Sequence, residues 1–73
     1  METIKQSYIV DRNKIHYIRW TIESYDGMAT VSTVDPIEAV IEIKISPGCE
    51  GIIQDLLDSL ASREGVKLKR IKI

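Results

Sequence analysis

The chain has 73 residues, a formal net charge of −1, 44% apolar residues, one cysteine and one histidine. This length predicts a single domain over residues 1–73, with no room for a second core. A lone cysteine excludes an internal disulfide, and one Cys with one His is too few for a structural zinc site. The balanced charge argues against a dedicated nucleic-acid binder.

The small size also predicts how the domain is stabilised. A chain this short buries only about 60% of the surface that its unfolded form exposes. With a disulfide and a structural metal excluded, we expect a homo-oligomer, with a dimer favoured, and neither a metal nor a cofactor. There is no charged-then-apolar leader and no apolar run near the roughly 20 residues that span a bilayer, so we expect a cytoplasmic protein without membrane contact.

The first segment is predicted to be a strand, and a helix or a second strand follows it. Residues 4–10 end in a β-prone run, and Asp11 or Asn13 then offers a side-chain oxygen that can cap a helix. Over residues 15–25 the apolar side chains fall at spacings of three and four, which indicates a helix. Its apolar stripe contains Ile15, Ile18, Ile22 and Tyr25.

The same stretch also fits a strand. It is rich in β-branched and aromatic residues, Trp20 alternates with its isoleucine neighbours, and Asp26-Gly27 is a strong hairpin signal. We favour the helix because of the single apolar stripe and because a left-handed C-terminal cap would place a glycine such as Gly27 just past the helix end.

The second half of the chain predicts a hairpin, a helix and a last strand. Residues 28–34 and 39–45 alternate as half-buried strands do, and Asp35-Pro36 between them forms a turn. Ser46 and Pro47 predict the start of a helix with a wide apolar stripe, and Gly65 predicts its end. Residues 66–73 read as a strand whose alternation slips at Lys69-Arg70, as at a bulge or where a strand leaves its sheet for a partner chain.

These elements predict an α+β fold. With the first helix, the order β-α-β-β-α-β is that of ferredoxin-like domains, which have an antiparallel four-stranded sheet with two helices on one face. With a strand in its place, the chain would form a β-meander with one covering helix. We favour the ferredoxin-like order because it buries more of the chain and supplies the crossover helix that each βαβ half requires.

The run ESYDGMA at residues 23–29, followed by STVDP at residues 32–36, resembles a family of short prokaryotic proteins of uncharacterised function. That family has an aliphatic-Glu-x-Tyr-acidic-Gly-aliphatic-Ala run, then a strand, a Thr-x-Asp-Pro-like turn and an amphipathic helix. In layout it is similar to ferredoxin-like regulatory modules such as ACT domains, although residues 11–13 do not match their glycine-containing loop. The resemblance covers most of the chain, and it implies a fold but no activity and no functional residues.

One candidate contact surface lies on the predicted first helix. Trp20 and Tyr17 fall off the apolar stripe and beside Arg19, and exposed Trp, Tyr and Arg side chains are typical of protein–protein hot spots. If the segment were a strand, Trp20 would simply belong to the core.

A second candidate is the turn after that helix. Tyr25, Asp26 and Gly27 place a phenol, a carboxylate and accessible backbone N–H groups together, where they could contact a ligand. A simpler explanation is that Tyr25 packs on the core, Asp26 hydrogen-bonds the turn and Gly27 supplies a positive φ.

No catalytic residue is predicted, and the sequence favours a protein that is not an enzyme. Cys49 lies in the first turn of the second helix, where the helix dipole favours a thiolate, but a small residue that fills space explains it more simply. His16 has no ionisable partner nearby in sequence and fits a surface histidine. The sequence contains no phosphate loop, nucleophile elbow or metal-ligand spacing.

The function predicted is therefore a self-associating interaction or regulatory module, with room for a small ligand at a subunit boundary. The alternative is a nucleic-acid-binding domain that uses Tyr8, an open sheet face and the basic residues of the last strand. Those basic residues are Lys67, Lys69, Arg70 and Lys72, and protection of an edge strand from aggregation also explains them. A second alternative is a thiol-dependent enzyme centred on Cys49.

Overall fold

The computed structural model describes residues 4–25 and 27–71. In these residues the elements in chain order are β1 (Ile4–Val10), a 3₁₀ turn (Arg12–Lys14), α1 (Ile15–Glu23), β2 (Ala29–Asp35), β3 (Val40–Ile45), α2 (Glu50–Arg63) and β4 (Leu68–Ile71). The four strands form one antiparallel sheet in the order β2-β3-β1-β4, and both helices contribute to a single core with it. The predicted ferredoxin-like α+β fold is confirmed, and the β-meander alternative is wrong.

The ambiguous segment is the helix α1. Ile18 and Ile22 are fully buried against the sheet and Ile15 packs against the same core, as the helical spacing predicts. The prediction that Tyr25 belongs to the apolar stripe of this helix is wrong, because α1 ends at Glu23 and Tyr25 is 37% exposed. The stripe therefore stops at Ile22, and a nine-residue helix is long enough to bury its two isoleucines.

The residues around α1 correct two further predictions. Neither Asp11 nor Asn13 caps it, since Lys14 precedes the helix without a side-chain cap. The Asp11 carboxylate instead accepts a hydrogen bond from the backbone N–H of Lys67, at 3.1 Å, across 56 residues of chain. Gly27 does have a positive φ of 70°, but it lies in the turn before β2 and not at the helix end.

The sheet has a covered face and an open face. Tyr8 of β1, Val31 of β2 and Ile41, Ile43 and Ile45 of β3 point toward the helices and form the core. Because side chains alternate along a strand, the residues between them point to the open face, which neither helix covers. Those residues include Ser7, Ile9, Val40, Glu42 and Lys44.

The predicted start of α2 is wrong and its predicted end is confirmed. The helix begins at Glu50, after a turn in which the Ser46 carbonyl accepts from the Cys49 N–H at 3.0 Å, so Ser46 is not its cap. At the other end Gly65 has a φ of 66°, and the N–H of Val66 reaches back to the carbonyl of Leu60 at 3.1 Å. This is the glycine-containing C-terminal cap that the sequence predicts.

The last strand explains the slip in alternation without a bulge. β4 spans only Leu68–Ile71, and its pairing with β1 is continuous, with Leu68 opposite Val10 and Ile71 opposite Ser7. These two pairs lie on different faces of the sheet, which is why the apolar residues change phase. The irregularity in pairing lies instead in β2, at Val34. Of the predicted strand, residues 72 and 73 lie outside the described residues.

Candidate functional site

The exposed surface of α1 carries two aromatic side chains, Tyr17 and Trp20, which we call the aromatic surface. Trp20 is 71% exposed and lies on the side of the helix opposite Ile18 and Ile22. Tyr17 is 37% exposed and is one turn from Trp20, at the i, i+3 spacing at which helical side chains are neighbours. A tryptophan with this exposure is unusual in so small a domain, because an indole is among the largest apolar groups available for a core.

Tyr17 is held in place from the other helix. Its hydroxyl donates a hydrogen bond to the Glu64 carboxylate, directly after α2, and the Lys14 ammonium lies 5.9 Å from its ring centre. The hydrogen bond to Glu64 is the main reason why the pKa of Tyr17 is raised, because only the protonated phenol can donate it. The contact joins the two helices and fixes the phenol at the edge of the aromatic surface.

Glu23, at the end of α1, connects the helix to the sheet. One carboxylate oxygen lies 3.4 Å from Arg19 Nε, and the other accepts a hydrogen bond from the backbone N–H of Val31, at 3.1 Å. Because β2 is an edge strand, this N–H points away from β3 and has no strand partner. The Glu23 side chain therefore supplies a hydrogen-bond acceptor for the backbone N–H of Val31 at the edge of the sheet.

The turn after α1 is built by backbone contacts. The N–H of Met28 donates to the Tyr25 carbonyl at 3.1 Å, and the Gly27 carbonyl accepts from Ser46 Oγ at 2.8 Å. Gly27 thus has the structural role that its positive φ implies, while the phenol of Tyr25 remains partly exposed. Asp26, the third predicted contact residue of this turn, lies outside the described residues.

The residues predicted for nucleic-acid contact do not share a face. Tyr8 is buried in the helix-covered core, its hydroxyl donates to Gln6 Oε1 at 2.7 Å, and burial is the main cause of its raised pKa. Arg70 lies opposite Tyr8 on the covered side, whereas Lys69 lies opposite Ile9 on the open side. The prediction that Tyr8 lies on an open sheet face is wrong.

Cys49 and His16, the two residues considered for catalysis, lie far apart in burial: one packs against the core and the other is on the surface. Cys49 is half-buried and packs against the core at the start of α2. His16 is exposed on α1. Within residues 4–25 and 27–71, no three His, Cys, Asp or Glu side chains come together as a metal site would require.

The open face of the sheet contains a groove that sequence reasoning missed. Its volume is about 470 Å³. The side chains of Lys5, Ser7, Val34, Glu42 and Ile71 are among those that line it. These residues come from all four strands, so only the register of the sheet brings them together.

The fold and these surfaces define a small ferredoxin-like α+β domain with an exposed aromatic helix surface and a polar groove on the uncovered side of its sheet. The chain belongs to the family described as a domain of unknown function, DUF4911, whose model matches residues 8–63. The match extends from within β1 to the last residue of α2, and it confirms the resemblance to an uncharacterised family. No curated protein and no solved structure matches the chain.

The helices of the described residues are also too short or too polar to cross a bilayer. The longer of them, α2, has 14 residues.

Proposed function

We propose that this protein is a self-associating interaction module, and that the aromatic surface of α1 contacts a second copy of the chain. The observation that carries the proposal is the 71% exposure of Trp20. Burying the exposed part of an indole would contribute roughly 3–4 kcal/mol before the entropic cost of association. Trp is also among the residues that most often dominate the energy of an interface.

The geometry of α1 supports a twofold contact. If two copies of α1 pack antiparallel about a twofold axis near Trp20, Arg19 of each copy faces the half of the other helix that ends at Glu23. Both copies then contribute the same surface to the contact. The helix is only nine residues, or roughly 14 Å, long. Such a contact buries less than the roughly 800 Å² per partner of a standard interface, so we expect a dimer in the micromolar range or weaker.

A small ligand at the boundary of such a dimer would meet the turn that follows α1. Tyr25 follows α1 and is partly exposed, and the N–H groups near Gly27 lie in the same turn. The proposal that Tyr25, Asp26 and Gly27 contact a ligand depends on the dimer, because a single copy offers only one side of the boundary.

Analytical ultracentrifugation over a wide range of protein concentrations tests the proposal. The wild-type chain should pass from monomer to dimer, and its Trp20 emission should shift to shorter wavelength as the indole becomes buried. Trp20→Ala should remain monomeric at concentrations where the wild type is dimeric. Ile37→Ala is the matched control, because Ile37 is an equally exposed apolar residue, at 74%, in the β2–β3 hairpin.

Two outcomes would contradict the proposal. A wild-type chain that stays monomeric up to about 1 mM, the top of the range for weak association, would exclude self-association. Dimerisation that is unchanged in Trp20→Ala but lost in Ile37→Ala would move the contact from the helix to the hairpin.

A further inference from the structure

The sheet ends in a strand on each side, β2 at one edge and β4 at the other. Hydrogen bonding within the sheet shows which backbone groups face outward at these edges. The N–H of Val10 donates to the carbonyl of Ala39, at 3.0 Å, so Val10 directs its backbone groups toward β3. Because these groups alternate in direction along a strand, those of Ile9 and Ser7 face β4.

The backbone groups of β4 are divided between the sheet and the outside. Lys69 and Ile71 lie opposite the two residues of β1 that face β4, so their own N–H and carbonyl groups point to β1. Those of Leu68 and Arg70 point away from the sheet, and they bond to no residue that the structure describes. We call this row of outward groups, at Leu68 and Arg70, the free edge.

The other edge of the sheet, at β2, is closed by the chain itself. The outward backbone N–H of Val31 donates to the Glu23 carboxylate, at 3.1 Å, and the pairing of β2 with β3 is irregular at Val34. Covering and irregularity are two ways in which proteins keep an edge from accepting another strand. The free edge of β4 has neither within the described part of the chain, so it is the edge that can accept an extended partner.

The side chains along the free edge are basic on one face and apolar on the other. Lys69 points to the open face of the sheet, and Lys67, directly before β4, is also exposed. Neither lysine forms an ion pair with a described residue. Lys5 supplies a third ammonium nearby, since it lines the same groove as Ile71. On the covered face, Leu68 is half-buried and packs against the core.

A second copy of the chain is a poor partner for this edge. Two β4 strands paired about a twofold axis would bring Lys69 and Arg70 of one copy against the same residues of the other. Like charges opposite each other destabilise a sheet, and edge lysines protect many proteins from self-pairing in this way. The same charges attract a strand of opposite sign, so they select one class of partner and reject another.

We propose that the free edge binds an extended acidic segment of another protein, which adds to the sheet as a fifth strand antiparallel to β4. Its backbone pairs with Leu68 and Arg70, its acidic side chains lie on the open face near Lys69, and its apolar side chains lie beside Leu68. In such strand addition, main-chain hydrogen bonds supply affinity and alternate side chains supply specificity. A nucleic acid offers phosphates but lacks the alternating N–H and carbonyl groups that this edge can pair with.

The proposal goes beyond the self-association of α1 and does not depend on it. Glu23 joins α1 to β2, and β2 and β4 are at opposite edges of the sheet. A chain that failed to dimerise could therefore still bind the acidic segment.

The probe for this site is a blocked pentapeptide, acetyl-Glu-Val-Glu-Val-Glu-amide, added at low salt to the ¹⁵N-labelled chain and followed by two-dimensional NMR. Its valines fall opposite Leu68 and Arg70. We expect saturable shifts at residues 67–71, with a dissociation constant of roughly 0.1–1 mM. Hydrogen exchange at the amides of Leu68 and Arg70 should slow by at least about threefold in the bound chain. Exchange at Val31, whose N–H already has an acceptor, should not change.

Two matched peptides separate the contribution of charge from that of backbone pairing. The peptide acetyl-Gln-Val-Gln-Val-Gln-amide keeps the backbone but loses the charges, and it should bind about tenfold more weakly at low salt. The acidic peptide with both valines N-methylated keeps the charges but loses the pairing N–H groups. It should also bind at least about tenfold more weakly, because the main-chain hydrogen bonds are lost.

Arg70→Pro and Arg70→Ala are a matched pair in the chain itself. Both remove the guanidinium, but only proline removes the outward N–H, which the pairing with β1 does not use. Arg70→Pro should abolish the binding that Arg70→Ala retains to within about fivefold. Lys69→Gln should weaken binding several-fold, whereas Lys44→Gln, the same change on β3, should leave it unchanged. Circular dichroism verifies that every variant is folded.

Three results would overturn the proposal. The first is the absence of saturable shifts up to about 10 mM peptide, well above the expected dissociation constant. The second is equal binding of the N-methylated peptide, which would mean that charge attracts the peptide without strand pairing. The third is an oligothymidylate of the same charge that shifts residues 67–71 at equal or lower concentration, which would make the edge a phosphate-binding surface.

Discussion

The hydrogen bond between Glu23 and the backbone of Val31 gives the sharpest prediction about stability. Glu23→Ala removes the only acceptor, among the described residues, for an N–H at the edge of the sheet, and Val31 itself is buried. Hydrogen bonds to charged groups contribute about 1.5–3 kcal/mol. Because the Glu23 side chain is 34% exposed, we place the loss near the lower end, at roughly 1–2 kcal/mol.

Urea denaturation followed by far-ultraviolet circular dichroism measures this loss. With a slope of about 1 kcal/mol per molar urea for so short a chain, the midpoint should fall by roughly 1–2 M. The melting temperature should fall by roughly 5–15 °C. Glu23→Gln retains an acceptor but loses the charge, so its effect should be about half as large.

Two control variants separate this bond from its surroundings. Arg19→Ala removes the exposed ion pair to the same carboxylate and should change stability by less than about 0.5 kcal/mol. Glu38→Ala removes an exposed carboxylate from the hairpin and should have a similarly small effect. If Glu23→Ala proved no more destabilising than these controls, the carboxylate would not be holding β2, and the structural account of this motif residue would fail.

Three further predictions follow from local structure. Gly65→Ala should destabilise the folded chain by about 1–2 kcal/mol, because the φ of Gly65 is 66°. Gly51→Ala should stabilise it by up to about 1 kcal/mol, because an added Cβ at this position in α2 meets open space. Urea midpoints that moved in the same direction for both variants would refute this pair of predictions. The pKa values of Tyr8 and Tyr17 are raised above 10.0, the first mainly by burial and the second mainly by its hydrogen bond to a carboxylate, so the folded chain keeps protons that the unfolded chain has released. Stability should therefore fall as the pH rises above about 10, and a constant urea midpoint between about pH 9 and 11 would contradict this. Lys44→Gln should stabilise the protein by roughly 0.2–1 kcal/mol, because Lys44 lies directly opposite Lys5 on the neighbouring strand and the substitution removes the repulsion between them. Added salt should reduce this gain in stability. A loss of stability in Lys44→Gln would count against the repulsion.

The family motif acquires a structural explanation residue by residue. Within ESYDGMA at 23–29, Glu23 accepts a hydrogen bond from the backbone of the edge strand β2, Gly27 adopts a positive φ in the turn, and Ala29 is buried where β2 begins. These roles all concern the connection between α1 and β2. The motif therefore accounts for the connection between two elements of the fold, whereas the proposed self-association surface lies outside it, at Trp20 on α1.

Local patterns predicted most of the elements because their causes are local. The alternation of isoleucine and charge in β3 and the glycine that ends α2 both depend on neighbours a few residues away. The predictions that failed depend on distant contacts. Asp11 was expected to cap a helix, but its carboxylate accepts from Lys67, and Ser46 was expected to cap α2, but its hydroxyl donates to Gly27.

The sequence by itself determined the α+β class, because apolar periodicity specifies which side of most elements is buried. It favoured a helix over residues 15–25 but left a strand open, so the order of the elements and the exposure of Trp20 were decided only by the structure. Only the tertiary structure decided which side chains meet across strands. Ser7 and Glu42 are 35 positions apart in the chain, and they become neighbours through the pairing of β1 with β3. A register is a property of two strands together, so a groove built from it is invisible in either strand alone.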